Sequence, residues 1–327
     1  MNYESLFDYC QDLEETTNNT IYYIGNKIEN SLSTIAIDNN THKIQSYSNE
    51  WLSLLKMYHL LKRPLYNQIC NDYNNIIQRT DLDITYSNYN VIPFITAFST
   101  GTIHGYAGLY SILDIYINNY DKYKDYNIII YKDSQQGLLD IINHFVNKNI
   151  IKKEKLIYIS SNIKYLFKSI KFIPVKFIIY PRHILKFDLI DNYIIEKDNL
   201  TPLENDKICI IKNTSSVNVT NNGLVDNNNV VQFCNNNKLL LIDPSQMNEI
   251  ELIRLMNKSR VFITSWGTAF FKNYVYLSDK CEKIIVLVIG GFIHQYNNES
   301  RNLIKKYKNA IVYYHIIDEK LDLILDI

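Results

Sequence analysis

Residues 260–273, RVFITSWGTAFFKN, are the stretch whose residue types best fit a chemical task. Arg-Val-Phe-Ile-Thr is a short, apolar, β-branched run of the kind that forms a buried strand. Ser265, Trp266 and Gly267 then make a tight turn, and Thr268 is placed to cap a helix opening on Ala269-Phe270-Phe271. Strand, turn and helix N-terminus together gather unbonded backbone N–H groups and the positive end of a helix dipole, which can hold a phosphate. The plain alternative is a βα turn of a parallel sheet without a ligand. These residues alone leave both open.

Other phosphate and nucleophile signatures are missing. The dinucleotide pattern GxGxxG, the P-loop ending in Gly-Lys-Ser/Thr and the hydrolase elbow GxSxG do not occur. The five cysteines (Cys10, Cys70, Cys209, Cys234, Cys281) are scattered, without a CxxC or Cys/His cluster, so neither a zinc site nor a disulfide framework is indicated. No metal is expected.

The elements that must position such a site follow from hydrophobic patterning. The chain has 327 residues, 46% hydrophobic and 21% charged, which describes a globular protein long enough for two domains. Its 34 basic and 34 acidic residues balance to a formal charge of +0, arguing against a nucleic-acid or polybasic membrane partner. The start, MNYESLFDYCQDLEE, is acidic and polar, unlike a signal peptide. The longest apolar run, residues 284–291, is too short to span a bilayer. A soluble, cytoplasmic protein is expected.

Residues 21–24 and 33–37 read as short strands, and residues 50–61 as an apolar helix stopped near Pro64. From Val91 the pattern alternates. VIPFI, NIIIY, residues 156–159 and residues 176–180 read as strands. IHGYAGLYSILDIYI reads as a buried helix, and SQQGLLDIINHFV as a helix capped by Ser134. Residues 181–206, with Pro181 and Pro202, look like a boundary. The alternation then restarts: strands at 207–211, 238–242, 260–264 and 284–289, with helices near 230–234, after Asp243-Pro244-Ser245-Gln246, and from Thr268. This indicates an α/β fold of largely parallel sheets, as two Rossmann-like domains facing across a cleft, residues 1–190 and 191–327.

With both halves read, the chain resembles glycosyltransferase family 61, over about residues 91–315. KICIIKN resembles that family's strand leading into a basic loop. LLLIDPSQMNEIELIRLMNKSRVFITSWGTAFFKN resembles its stretch from a late strand to a His-Gly-Ala-Gly-like turn. IIVLVIGGFIHQY resembles the next strand and loop, and IHGYAGLYSILDIY its His-aromatic helix. Two positions depart from the pattern: the turn begins Ser265-Trp266 where the family has His, and the basic loop offers Lys212, Asn213 and Thr214 in place of arginines.

The resemblance implies a GT-B fold and an inverting, metal-independent transferase. It would move a sugar from a nucleotide-sugar donor, UDP-linked, to a glycan or protein hydroxyl. Such an enzyme stabilises a departing diphosphate with backbone N–H groups and a cation. Ser265, Gly267 and Thr268 would supply the first and Lys212 the second, with Asn213 and Thr214 beside it. Trp266 would stack on base or sugar, and His294 would reach the donor. His104, at a helix start, would take the acceptor proton. Glu249 and Glu251 read as exposed helix carboxylates. Two other readings stay open on the same plan: a nucleotide-sugar epimerase, and a non-catalytic nucleotide- or sugar-binding module.

Overall fold

The computed structural model describes residues 10–12, 15–16, 19–28, 31–46, 60, 62, 64–94, 103–173, 189–195, 206–210, 228–265, 268–289 and 311–317. The chain forms two compact units, Met1–Ile179 and Tyr180–Ile327. Each has its own parallel sheet, so the α/β class read from the alternation is what the molecule shows.

The first unit runs β1 (Cys10–Asp12), β2 (Thr20–Ile28), β3 (Ser31–Asp38), β4 (Ile44–Ser46), α1 (Pro64–Gln78), β5 (Asn90–Pro93), α2 (Ile103–Asn118), β6 (Asn127–Tyr131), α3 (Gln136–Asn147), β7 (Leu156–Ile159), β8 (Lys164–Phe167) and β9 (Ser169–Ile170). It holds two sheets. One is mainly antiparallel, in the order β1-β4-β3-β2-β8; the other is parallel, in the order β7-β6-β5-β9.

The run Ile21-Tyr22-Tyr23-Ile24 is apolar at every position because β2 is buried on both faces. Ile21 and Tyr23 pack with Leu65, Ile69 and Tyr73 of α1. Tyr22 and Ile24 pack with Val91, Ile129 and Ile157 of the parallel sheet. The antiparallel sheet is thus the middle layer between a helix and a second sheet.

Helix α1 begins at Pro64, the residue the sequence reading used as a stop. Proline suits the first helical position, where its missing N–H is not needed and its fixed φ is already helical. Residues 50–59 and 61, the helix expected before it, lie outside the described residues. Ser134 does not cap α3: the helix starts at Gln136, and its N-cap Gln135 makes no side-chain capping bond.

Asp72 of α1 is buried. It accepts hydrogen bonds from the Ser33 hydroxyl and, at 2.6 Å, from Gln68 Nε2. Gly25 lies against this group, where a Cβ would collide with both the Asp72 carboxylate and the Ser33 hydroxyl. Burial pushes the Asp72 carboxyl above its ordinary range, and the two hydrogen bonds oppose that rise.

The second unit runs β10 (Lys207–Ile210), α4 (Asn228–Asn236), β11 (Leu240–Ile242), a 3₁₀ turn (Pro244–Gln246), α5 (Glu249–Lys258), β12 (Val261–Ser265), α6 (Thr268–Asn273), a 3₁₀ turn (Tyr274–Tyr276), β13 (Lys283–Ile289) and β14 (Ile311–Ile317). Its five strands are parallel, in the order β11-β10-β12-β13-β14. Ile253 and Met256 of α5, Phe262 and Ile263 of β12 and Ile284 of β13 are all buried.

Asp243 caps only the 3₁₀ turn, accepting from Ser245 N at 2.9 Å. The helix that Asp243 was expected to start has its own cap, Asn248, which accepts from Ile250 N at 2.9 Å. Strand β11 begins at Leu240, after the expected Lys238. Lys238 has φ 53, left-handed backbone that turns the chain out of α4. At the amino edge of the sheet Arg260 pairs with Asp206 at 2.9 Å and Glu282 at 3.4 Å, tying the starts of three strands together.

Candidate functional site

The strand order of the second unit reverses at β10. From β10 the chain moves through α4 to β11 on one side, then through α5 to β12 on the other, and outward to β13 and β14. Strands β10 and β12 pair directly and in parallel, Lys207 beside Val261 and Cys209 beside Ile263. Their carboxyl ends therefore lie side by side, and the segments that follow them leave from one edge. In open parallel sheets, ligands bind outside the carboxyl ends of the strands where the order reverses.

These two strand ends lead into the residues singled out by sequence. Ser265 is the last residue of β12 and Thr268 the first of α6. The side chains of Ser265 and Thr268 are outside the described set, as are Trp266, Gly267, Lys212, Asn213, Thr214 and His294. The fold thus brings the strand feeding residues 211–214 next to the strand feeding residues 265–268. Helix α6 is six residues long and passes at once into a 3₁₀ turn, so its dipole is short.

Behind α6 is a polar cluster that the sequence reading did not find. Glu249, expected to be exposed, is 4% exposed. Its Oε2 lies 2.6 Å from Lys272 Nζ, and its Oε1 accepts from the Tyr276 hydroxyl at 3.0 Å. Asn257 Nδ2 donates to Tyr276 O at 3.3 Å. Glu249 opens α5 and Lys272 lies in the last turn of α6, so the cluster fixes one helix against the other. Partners 23 residues apart on different helices leave no local sequence signal. Two buried polar atoms near the same strand and helix, Thr264 Oγ1 and Asn273 Oδ1, have no hydrogen-bond partner among the described residues.

In the first unit, β5 lies between β6 and β9, so that sheet also reverses. His104 is the second residue of α2, the helix that follows β5; its side chain is outside the described set. Its neighbour Gly105 lines a small recess with Phe94, Leu109, Ile130, Ser134 and Leu138. Phe94 and Ile130 come from the carboxyl halves of the β5 and β6 segments, which places the start of α2 at that edge.

Among the described residues no three His, Cys, Asp or Glu side chains gather as a metal site. Among them, too, no helix is long and apolar enough to cross a membrane. No protein-family model, curated protein or solved structure matches the chain.

Proposed function

We propose that the chain is an inverting, metal-independent glycosyltransferase that takes a sugar from a nucleotide-sugar, UDP-linked, to a glycan or protein hydroxyl. The observation that carries this reading is the direct parallel pairing of β10 and β12 at the reversal of strand order. It brings side by side the strands that lead into the two segments resembling the basic loop and the His-Gly-Ala-Gly-like turn of glycosyltransferase family 61. In this reading the two units are the halves of a GT-B enzyme. The diphosphate is held by backbone N–H groups of residues 265–268 and by Lys212, with Asn213 and Thr214 alongside. Trp266 and His294 contact the base or sugar, and His104 removes the acceptor proton.

Departure of the nucleoside diphosphate builds negative charge on its oxygens, and preorganised N–H donors and one cation lower that barrier. A second reading, a non-catalytic binding module, is favoured by Ser265 at the position of the family's His and by the single cation in residues 211–214.

The test is incubation of the full chain with a panel of nucleotide-sugars, with and without oligosaccharide acceptors, followed by mass spectrometry. Transfer predicts a glycosylated acceptor and stoichiometric nucleoside diphosphate. Sugar isomerised without acceptor would support an epimerase. Binding without turnover would support the module.

A further inference from the structure

The helices that Lys272 joins fix where its ammonium lies. Helix α5 ends at Lys258, just before Arg260 at the amino edge of the sheet, so it opens, at Glu249, toward the carboxyl edge. Helix α6 opens at Thr268, soon after β12 ends at Ser265. Lys272 is one turn further on, about 6 Å along the axis. Side chains of a helix tilt back toward its N-terminus, here the carboxyl edge of the sheet. The contact agrees: Lys272 Nζ lies 2.6 Å from Oε2 of Glu249, the first residue of α5. The ammonium is thus at the carboxyl edge, one helical turn from the start of α6. The Glu249 side chain is 4% exposed and also accepts from the Tyr276 hydroxyl at 3.0 Å, whereas the Lys272 side chain is 14% exposed. Lysine is the more open member of the pair, so an anion arriving from solvent meets the cation first. Joining two helices does not require such a pair, because apolar residues of similar volume serve as well.

We propose that Lys272 is a second cation of the diphosphate site, with Glu249 as its intramolecular competitor. This rests on the reading of the strand-order reversal as that site. A diphosphate carries more than one negative charge, and residues 211–214 bring one cation, Lys212. An ammonium has three N–H donors and can bridge a carboxylate and a phosphate oxygen. As the diphosphate binds, its oxygens draw the Lys272 ammonium partly away from Glu249, whose carboxylate keeps the Tyr276 hydroxyl. Glu249 therefore weakens the site, and Lys272 strengthens it.

The full chain, Glu249→Gln and the double variant Glu249→Gln/Lys272→Met are titrated calorimetrically in EDTA with UDP, inorganic pyrophosphate and uridine, after near-UV circular dichroism has checked the fold of each. Glu249→Gln removes the competitor and leaves the ammonium, so UDP and pyrophosphate should bind roughly three- to ten-fold more tightly than to the parent. The double variant should bind both roughly ten-fold or more weakly than Glu249→Gln, as one charge-assisted hydrogen bond is lost, and more weakly than the parent. Uridine affinity should be the same in all three. A pair that only joins the helices predicts no gain in Glu249→Gln. Equal UDP affinity in Glu249→Gln and the double variant, or weaker UDP binding in Glu249→Gln than in the parent, would overturn the proposal. If Glu249→Gln does not fold, the double variant decides against the parent: weaker UDP and pyrophosphate with unchanged uridine supports the proposal, and unchanged affinity for all three overturns it. A parent chain that binds neither UDP nor pyrophosphate would overturn the diphosphate reading itself, and this proposal with it.

Discussion

At the scale of single residues, Glu249 is a buried charge of the second unit. Its carboxylate is held by Lys272 and Tyr276 with little access to water. Lys272→Met would strand that carboxylate in the interior, and we expect a loss of about 3–5 kcal/mol, read from urea unfolding. The double variant Glu249→Gln/Lys272→Met removes both charges and should recover most of the loss; no recovery would show that the pair is not the cause. Asp72 gives a pH signature. Its folded pKa is raised, so the folded state holds the proton more tightly than the unfolded chain. The stability it contributes is complete below the unfolded carboxylate range and is lost as pH rises through the folded value. Asp72→Asn should flatten stability across that window, measured as urea midpoints at a series of pH values against the parent. Gly25→Ala should destabilise by about 1–3 kcal/mol, because the added methyl meets Asp72 and Ser33. For the chemistry, His104→Ala should leave donor affinity unchanged and lower transfer by roughly 10²–10⁴-fold. A stable variant turning over at the parent rate would remove His104 from that role.

At the scale of elements, capping separates what a local pattern can and cannot say. Asp243-Pro244-Ser245-Gln246 has the composition of a helix start, and the cap forms, but on a 3₁₀ turn; Asn248 caps the helix. Asn248→Ala should cost about 1 kcal/mol and Asp243→Ala less, compared by thermal unfolding. Strand β6, buried on both faces, was legible because its apolar run is uninterrupted. The edge strand β14 was not among the expected strands, although IVYYHII is an apolar, β-branched run. Helix α1 was missed because it is rich in Asn and Tyr, and its inward face emerges only from the spacing of Leu65, Ile69, Tyr73 and Ile76.

At the scale of the whole molecule, the two α/β alternations were legible, but the antiparallel layer of the first unit was not. Its β2 pairs with β8, Tyr22 beside Tyr165, across a separation that no window of sequence covers. Likewise, the strand ending at Ser265 and the helix starting at Thr268 were legible locally, whereas the neighbourhood of that strand with β10 depends on strand order, which local periodicity does not contain. Under the proposed function, this reversal binds the diphosphate of a nucleotide-sugar. The most direct test of that claim is a titration of the full chain with UDP in EDTA, followed by thermal unfolding and amide hydrogen exchange. At a hundred times the dissociation constant, UDP should add about 2.7 kcal/mol of stability. Uridine should add less, and new exchange protection should fall on residues 208–214 and 264–270. No rise in melting temperature with UDP or any other nucleoside diphosphate, or protection confined to the first unit, would contradict the claim.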